Sequence, residues 1–334
     1  MDSKKNVFVI YGGYSEEADV SVRSGKNVIN NIDTDFFNVY EITFLNKEMY
    51  AIVGNKTLKI DFNDFSFTID DITINPNYCL IAVHGTPGEN GKLQALFELI
   101  DLPYFSVNAA ISSLTFNKYH TVCVAKVSGI NVAENYYINT HKYNIDDILN
   151  KISFPFFVKP CKNGSSIGVG KAYDKLQAID LINNALKIDD EILIEKAIHG
   201  REFTMAVFRL NNKLIILPIS EALLESNKID FWGHESKTNI NKHIGKTPAE
   251  LDEVTLQKTE LFGEKIYNIF GSMGIMRIDF ILNKENNELY LLEINTIPGM
   301  SPQSVFPKML SAMGLPFKDF LTQIINEGIS NHKK

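Results

Sequence analysis

Two neighbouring segments near the C-terminal end of the chain alternate polar and apolar residues with the two-residue period of a β-strand. The first segment sends Arg277 and Asp279 to one face, and the second sends Glu293 and Asn295 to one face. A turn centred on Asn286 would pair the segments antiparallel, with Asp279 opposite Glu293 and Arg277 opposite Asn295. The pattern therefore predicts a hairpin on which four polar side chains meet in one patch.

This patch supports two interpretations. Carboxylates that lie close together repel each other, and such pairs usually shift a pKa or bind a cation. Oxygen ligands from Asp279, Glu293 and Asn295 suit a Mg²⁺ ion that bridges nucleotide phosphates. Alternatively, the patch is a solvent-exposed hairpin face on which Arg277 pairs with an acidic neighbour, because charge alternation is common on outer strand faces.

Strand and helix patterns elsewhere indicate an α/β protein with α+β elements. An apolar run at residues 7–11 stops at two glycines and precedes apolar residues at helical spacing, and residues 80–100 repeat this arrangement. Two such units predict a parallel sheet whose functional loops follow the carboxyl ends of the strands. Beyond about residue 105, shorter patterns predict a smaller α+β unit. Residues 225–250 show no periodicity, which is typical of a lid or a disordered loop.

Composition and charge exclude several classes of partner. The 334 residues carry a net charge of -7, from 33 basic and 40 acidic residues, without a dense run of Lys and Arg. We therefore expect no nucleic-acid partner and no membrane partner. No apolar segment reaches the roughly 18 residues of a membrane span or resembles a signal sequence, so we expect a cytoplasmic protein. Cys79, Cys123 and Cys161 lack C-x-x-C spacing, which argues against a disulfide framework or a zinc site.

A glycine-rich loop at residues 162–168 is a candidate phosphate site. It follows a strand pattern that contains Lys159, and glycines such as Gly164 allow backbone N–H groups to approach a phosphate. It is not a Walker A loop, because the G-K-[ST] sequence and the following helix are absent. The alternative interpretation is an ordinary Gly-Ser hairpin turn.

Three further residues are candidates for ligand contacts. Glu195 and Glu202 lie at the end of one strand pattern and the start of the next, where carboxylates can accept hydrogen bonds from an adenine amino group and ribose hydroxyls. As an alternative, they are two surface glutamates. His84 follows an apolar strand pattern, where α/β proteins bind ligands, or it stabilises a turn.

A set of short motifs accompanies these candidates in a fixed order. They are residues 12–17 with 20–21, 84–91 with Gln94, 116–118, 158–160 with 164–168, Glu195 with 200–202, 277–280, and 293–300 with Ser304. Their joint order and spacing resemble the D-alanine:D-alanine ligase family of the ATP-grasp superfamily. The resemblance extends from residue 7 to about residue 325.

The resemblance implies a fold, a reaction and its partners. We expect a three-domain ATP-grasp fold, with an N-terminal parallel-sheet, substrate-binding (pre-ATP-grasp) domain at 1–107, a central ATP-grasp subdomain at 108–200, and a C-terminal ATP-grasp subdomain at 201–334 that carries the lid loop at 225–250. The implied reaction joins two D-alanine molecules for peptidoglycan through a D-alanyl phosphate. It uses ATP and two Mg²⁺ or Mn²⁺ ions, with a monovalent cation assisting in some relatives, and the implied assembly is a homodimer.

The resemblance also implies roles for single residues. Catalytic roles fall on Glu17, Ser165, Arg277 and Gly299. Nucleotide-binding roles fall on Lys118, Lys159, Gly164, Ser166, Glu195, Lys196, Ile198 and Glu202. Substrate-binding roles fall on His84, His234, Lys237, Thr238, Ser304 and Val305. The implied metal ligands are Asp279, Glu293 and Asn295.

The segment that matches the family's lid departs from the family pattern. The usual Glu-x-Lys-Tyr ending appears as residues 235–238 with Thr238 at its end. In typical members the tyrosine hydrogen-bonds to the residues matched here by Ser165 and Glu17. His234 is similar to a lid histidine of D-alanine:D-lactate ligases. We expect D-alanine as the second substrate, with D-lactate or D-serine as alternatives, and a nucleotide-binding homologue without turnover as a further alternative.

Overall fold

Three main β-sheets and their packed helices form the part of the chain that the structure, a computed structural model, describes. The described residues are 4–140, 142–222, 246–271 and 273–332. The strands are β1 (Lys5–Tyr11), β2 (Phe37–Leu45), β3 (Glu48–Val53), β4 (Lys56–Lys59), β5 (Phe67–Ile69), β6 (Ile72–Ile74), β7 (Tyr78–Ile81), β8 (Tyr104–Phe105), β9 (Asn135–Ile138), β10 (Phe156–Pro160), β11 (Gly170–Ala172), β12 (Ile192–Lys196), β13 (Gly200–Leu210), β14 (Lys213–Ile216), β15 (Ser220–Ala222), β16 (Met276–Asn283) and β17 (Leu289–Asn295). The helices are α1 (Ala18–Asn31), α2 (Lys92–Leu99), α3 (Ala109–Phe116), α4 (Lys118–Val127), α5 (Ile145–Leu149), α6 (Lys175–Ala185), α7 (Glu253–Phe270), α8 (Val305–Ala312) and α9 (Phe317–His332). None of these helices is both long and apolar enough to cross a membrane.

The first sheet has six strands in the order β4–β3–β2–β1–β7–β8. Strands β2, β1, β7 and β8 pair in parallel, which confirms the predicted parallel sheet, whereas β2, β3 and β4 pair antiparallel. Val7, Phe8, Val9 and Ile10 are fully buried, as expected for a strand covered on both faces. The turns that follow β1 and β7 therefore open at the same edge of the sheet, and the second of them carries His84.

The second sheet has four antiparallel strands in the order β11–β10–β12–β9. Helix α6 packs on it, and Ile182 of this helix shares a core with Phe156 and Val158 of β10. Strands and a helix are thus present where the sequence predicts a smaller α+β unit. The glycine-rich loop at 162–168 connects β10 to β11.

The third sheet carries the predicted hairpin. Its order is β14–β13–β16–β17, with β15 alongside β13. Arg277 lies opposite Asn295 and Asp279 lies opposite Glu293, which confirms the predicted pairing. A bulge directly after Asp279 shifts the register by one residue. Beyond it the pairing therefore differs from that of a turn centred on Asn286, because one extra residue is left unpaired.

The C-terminal helices join the first sheet to the third. Helix α9 contacts α1, β7 and β8 as well as β13. Its residues Phe320 and Ile324 share one core with Val9 and Leu80 of the first sheet and Phe208 of the third. This packing holds the segment between β17 and α8 beside the first sheet.

Helices α3 and α4 were not predicted, although each begins at a typical capping residue. The side chain of Asn108 accepts a hydrogen bond from the Ile111 N–H at 2.9 Å, and that of Asn117 accepts one from the His120 N–H at 3.1 Å. The second cap starts α4 at Lys118. The position of this lysine is therefore fixed by the start of a helix.

Candidate active site

Two cavities adjoin where the three sheets meet. The first, of about 260 Å³, is bordered by the turns after β1 and β7, the glycine-rich loop, the hairpin face and the segment after β17. The second, of about 140 Å³, lies between the second and third sheets. Six residues line both cavities: Lys118, Asn163, Gly164, Thr204, Asp279 and Glu293. The cavities are therefore two halves of one site with a shared wall.

The polar face of the hairpin forms part of this wall. The Arg277 guanidinium donates two hydrogen bonds to Asp279, from Nε to Oδ1 at 3.0 Å and from Nη2 to Oδ2 at 2.7 Å. The Nη2 atom also lies 3.6 Å from Glu293 Oε1. Asn295 Nδ2 lies 3.4 Å from Asp279 Oδ2 and 3.4 Å from Glu293 Oε1. The four groups therefore converge as the alternation pattern predicted.

The alternative interpretation of this face is right in one respect and wrong in another. Arg277 does pair with Asp279, but the face is not an open surface, because the two side chains are only 24% and 18% exposed and line the first cavity. Burial alone would lower the pKa of Arg277, but Asp279, Glu293 and Glu89 raise this pKa above its usual value. The wall therefore keeps a fixed positive charge that can stabilise a negative charge developing on a bound molecule.

The glycine-rich loop brings Ser165 against Glu17. The Ser165 hydroxyl donates a hydrogen bond to Glu17 Oε1. Ser165 and Ser166 have left-handed φ values of 51° and 57°, which turn the loop sharply. A Cβ atom on Gly164 would collide with the Glu17 carboxylate. A side chain at this position would have to displace the Glu17 carboxylate, so the loop packs closely against Glu17 as well as forming a Gly-Ser turn.

His84 is buried at the side of the first cavity and is held by Ser24. Its Nε2 lies 2.9 Å from Ser24 Oγ, and the same oxygen accepts a hydrogen bond from the Met300 N–H at 3.1 Å. The hydroxyl proton of Ser24 is then available to His84 Nε2, which favours the tautomer with hydrogen on Nδ1. Nδ1 lies 3.8 Å from Glu89 Oε1. His84 therefore links α1 and the segment after β17 to the acidic side of the cavity.

The segment after β17 is held by α1 and by its own serines. Asn27 Nδ2 donates a hydrogen bond to the Met300 carbonyl at 2.7 Å. The hydroxyls of Ser301 and Ser304 lie 2.8 Å apart, and a Cβ atom on Gly299 would approach Ser304 Oγ to 2.7 Å. Glycine at 299 therefore leaves the cavity open beside Ser304, which occupies the N-cap position of α8 without a side-chain capping bond.

Two lysines supply positive charge at the second cavity. Lys159 Nζ donates a hydrogen bond to Glu195 Oε2 at 2.6 Å, with side chains that are 17% and 5% exposed. Burial alone would lower the pKa of Lys159, but Glu195 and then Glu293 raise it. Lys118 Nζ donates a hydrogen bond to the Asn163 carbonyl at 2.5 Å. The Lys159 ammonium therefore stays charged, and both lysines line the cavity within reach of a bound anion.

The hairpin patch also offers ligands that suit Mg²⁺ or Mn²⁺. Asp279, Glu293 and Asn295 supply two carboxylates and one amide. Within 4–140, 142–222, 246–271 and 273–332, no cluster of three or more His, Cys, Asp and Glu residues could hold a metal by itself. A short set of oxygen ligands suits an ion that takes its other ligands from phosphates and water, as Mg²⁺ usually does. The residues therefore fit such an ion.

All described residues with a predicted site role line one of the two cavities. The first is lined by Glu17, His84, Ser165, Arg277, Asn295, Gly299, Ser304 and Val305. The second is lined by Lys159, Ser166, Glu195, Lys196, Ile198 and Glu202. Lys118, Gly164, Asp279 and Glu293 line both. His234, Lys237 and Thr238 lie outside the described residues. The structure thus brings the described residues together, and their individual roles stay predictions.

No sequence pattern singled out Ser24, Asn27, Glu89 or Asn163 as site residues. Glu89 lies in the motif at 84–91 and Asn163 in the glycine-rich loop at 162–168. Their polar side chains next to candidate residues could have indicated a place in the site. The contacts of Ser24 and Asn27 with Met300 span 276 and 273 residues of sequence. Contacts over such a distance leave no local pattern.

Two family models together match most of the chain. The model described as D-ala D-ala ligase N-terminus matches residues 6–107, and the model described as D-ala D-ala ligase C-terminus matches residues 124–326. The chain is also 36% identical over 325 residues to the D-alanine–D-alanine ligase of Phocaeicola vulgatus, a match that covers 96% of this chain and 98% of that protein.

Solved structures share the fold. D-alanyl-alanine synthetase A from Vibrio cholerae has a TM-score of 0.88 at 26% identity and covers 99% of this chain and 100% of its own. The VanG D-Ala:D-Ser ligase from Enterococcus faecalis has a TM-score of 0.84 at 26% identity, covering 97% and 99%. A D-alanine–D-alanine ligase from Bacillus anthracis complexed with ATP has a TM-score of 0.78 at 26% identity, covering 98% and 99%.

Proposed function

Because the chain belongs to the D-alanine–D-alanine ligase family, we propose that it joins two D-alanine molecules into the dipeptide used for peptidoglycan, with conversion of ATP to ADP and phosphate. The fold is the three-domain ATP-grasp architecture of these enzymes. One observation carries the proposal: the two cavities share a wall that contains Lys118, Asp279 and Glu293. A nucleotide in the second cavity and an amino acid in the first can therefore meet at that wall.

The shared wall suits a reaction in two steps. First, a carboxylate oxygen of one D-alanine attacks the γ-phosphorus of ATP, the bond from this phosphorus to the β,γ-bridging oxygen breaks, and ADP leaves. Second, the amine of the other D-alanine attacks the carbonyl carbon of the acyl phosphate, loses a proton and displaces phosphate. The first step is needed because a carboxylate offers no good leaving group, and the covalent intermediate replaces one difficult step by two easier ones.

Residues around the first cavity bind the first D-alanine and stabilise charge. The Glu17 carboxylate, held by Ser165, can bind the ammonium group. Arg277 and the Gly299 N–H line the same cavity, where they can stabilise the oxyanion of the tetrahedral intermediate. Because Asp279 already holds the guanidinium in place, little reorganisation accompanies the reaction.

The second D-alanine needs a site for its carboxylate. Ser304 occupies the N-cap position of α8 without a side-chain capping bond, and Val305 is the first residue of that helix. Both line the first cavity, so the Ser304 hydroxyl and the N–H groups of the first helical turn can bind a carboxylate there. His84 contributes a polar group to the same cavity. The roles proposed for His234, Lys237 and Thr238 rest on the family resemblance alone.

Residues around the second cavity bind the nucleotide. Lys118 and Lys159, with N–H groups of the loop that contains Gly164 and Ser166, would bind the phosphates, and Glu195, Lys196, Ile198 and Glu202 would bind adenine and ribose. Asp279, Glu293 and Asn295 would hold two Mg²⁺ or Mn²⁺ ions. When bound, these ions would neutralise the charge of the phosphates. Lys118 and Lys159 would add to that neutralisation.

D-alanine is the second substrate that the sequence relatives favour. The Phocaeicola vulgatus protein is a D-alanine–D-alanine ligase, and it matches nearly the whole chain. The fold alone does not discriminate, because a D-Ala:D-Ser ligase shares it with a TM-score of 0.84. An experiment with competing acceptors is therefore needed to identify the second substrate.

The experiment supplies purified protein with ATP, Mg²⁺ and D-alanine, and then adds D-lactate or D-serine as a second acceptor. Phosphate release and product mass are followed between about pH 6 and 9, the range over which a histidine changes charge. We expect one phosphate per D-alanyl-D-alanine formed. If D-lactate yields a depsipeptide while D-alanine yields no dipeptide, the proposal that D-alanine is the second substrate is wrong. ATP binding without phosphate release on any D-amino acid would instead support a nucleotide-binding homologue.

We further propose the domain boundaries 1–107, 108–200 and 201–334, a homodimer formed through the first domain, and a cytoplasmic location. Light scattering distinguishes a dimer from a single chain of 37.7 kDa. Limited proteolysis maps the boundaries, and a comparison of activity in potassium and sodium salts tests for a monovalent cation.

A further inference from the structure

Glu191 lines neither cavity, yet it ties together two segments that do. Tyr137 Oη and Asn117 Nδ2 donate hydrogen bonds to its Oε2 at 2.7 and 2.8 Å. Lys162 Nζ donates one to its Oε1 at 2.9 Å. The Glu191 side chain is only 21% exposed. A single carboxylate therefore accepts three hydrogen bonds from three separate parts of the chain.

Two of these partners directly precede residues of the shared wall. Asn117 precedes Lys118 and caps α4, and Lys162 precedes Asn163 at the start of the glycine-rich loop. The Lys118 ammonium in turn donates to the Asn163 carbonyl at 2.5 Å. The start of α4, the loop and Glu191 therefore form one closed set of contacts.

Backbone hydrogen bonds also join Glu191, the start of the glycine-rich loop and the start of α4. The Glu191 carbonyl accepts a hydrogen bond from the Cys161 N–H at 2.9 Å, and the Cys161 carbonyl accepts one from the Lys118 N–H at 3.0 Å. Tyr137 stacks on Tyr119 of α4 with ring centroids 3.8 Å apart. Neither α4 nor the start of the loop can shift without breaking a contact to Glu191, Tyr137 or Cys161.

The charge on Glu191 is needed for these contacts. Burial alone would raise the pKa of its carboxyl, but hydrogen bonds from Lys162, Asn117 and Tyr137 lower this pKa below its usual value. A carboxylate accepts at both oxygens, whereas an amide in its place accepts at one and donates at the other. A Gln at this position would therefore present an N–H₂ group to at least one of the donors.

We propose that Glu191 is a positioning residue for the nucleotide, which holds Lys118 and the glycine-rich loop in place at the edge of the cavity where the phosphates bind. Glu191 acts through these two segments and does not touch the nucleotide. The inference rests on the proposed nucleotide roles of Lys118 and the loop.

The test measures binding of Mg²⁺-ATP by calorimetry without D-alanine, so that no turnover is needed. In Glu191→Gln we expect the Kd for ATP to rise about tenfold, the effect of losing roughly one charge-assisted hydrogen bond. Tyr137→Phe removes one donor without altering shape, and a rise of about threefold is expected. The matched control is Asp190→Asn, because Asp190 also bonds Lys162 Nζ, at 2.7 Å, but is 72% exposed. Its Kd should equal that of the wild type.

Exchanging the hydrogen-bond donor at position 117 and the acceptor at position 191 distinguishes a positioning role of Glu191 from a general effect on stability. Asn117→Asp keeps a helix cap but faces Glu191 with a second carboxylate, so it should weaken ATP binding. The double variant Asn117→Asp with Glu191→Gln restores a donor–acceptor pair, and its Kd should return to within about threefold of the wild type. Equal Kd values for wild type, Glu191→Gln and Tyr137→Phe would overturn the inference, as would a double variant no better than the single ones. Failure of the wild type to bind ATP would instead overturn the proposed function.

Discussion

Ser24 and Ser112 offer a matched pair of substitutions that tests how the first sheet is joined to the active-site segment. Both serines are fully buried. Ser24 bonds to His84 and to the Met300 N–H, whereas the Ser112 hydroxyl has no hydrogen-bond partner among the described residues. Replacing either by Ala deletes the same atom. Any difference between the two variants therefore reports the hydrogen bonds and not the lost volume.

The expected magnitudes differ in size and in sign. Ser24→Ala leaves the Met300 N–H and a ring nitrogen of His84 without a partner, and each such buried group costs about 1–3 kcal/mol. The loss should therefore be about 2–6 kcal/mol in the free energy of unfolding. Ser112→Ala removes an unpaired hydroxyl and places a better helix former in α3, so it should be neutral or stabilise by up to about 1 kcal/mol.

Thermal unfolding followed by circular dichroism measures both variants. For 334 residues, an unfolding entropy of roughly 0.7 kcal/mol per kelvin converts the expected loss for Ser24→Ala into a fall in Tm of about 3–9 °C. Ser112→Ala should melt at or slightly above the wild-type temperature. If the two variants melt within about 1 °C of each other, the hydrogen bonds of Ser24 do not hold the Met300 segment and the reasoning fails.

Three other predictions follow from the site. Gly164→Ala should lower the rate of dipeptide formation about a hundredfold, because its Cβ atom would displace the Glu17 carboxylate, and an unchanged rate would contradict this geometry. Asp279→Asn should raise the Mg²⁺ concentration for half-maximal activity at least about tenfold, since ligand charge sets the affinity of such sites, and a magnesium titration measures it. Burial raises the pKa of Cys161 to about 12 from its usual value near 9.0, so the thiol should stay unlabelled by iodoacetamide at about pH 8 in the native protein while Cys123 reacts. The unfolded chain ionises this thiol first, so its contribution to stability is complete below about pH 9 and is lost as the pH rises toward 12.

The hairpin shows how far local patterns reach. Two-residue alternation fixed which side chains share a face, so the pairing of Asp279 with Glu293 followed from the sequence. The bulge after Asp279 did not follow, because a bulge depends on the local twist and the neighbouring strand β13. The bidentate contact of Arg277 with Asp279 was foreseen only as part of an alternative. The burial of this ion pair depends on segments far away in the sequence.

The helices next to the site were missed for a different reason. Residues 109–116 mix small, polar and apolar side chains without a clear apolar stripe, so periodicity gave no signal there. The capping residues Asn108 and Asn117 were the signal that remained. The Asn117 cap has consequences for the site, because it places Lys118 at a helix start.

The shared wall explains why the site draws on the whole chain. Its six residues come from helix α4, from the glycine-rich loop of the second sheet, and from strands β13, β16 and β17 of the third sheet. The turns that follow β1 and β7 of the first sheet also border the first cavity, through Glu17 and His84. Phosphoryl transfer between a nucleotide and a carboxylate requires both molecules at one wall, in line and with their charge neutralised. Contacts such as Ser165 to Glu17 and Ser24 to Met300 cross between these parts of the fold, so each contributes to the alignment of the two cavities. A substitution that loosens one of these contacts should therefore lower the catalytic rate by a larger factor than it weakens the binding of either substrate alone.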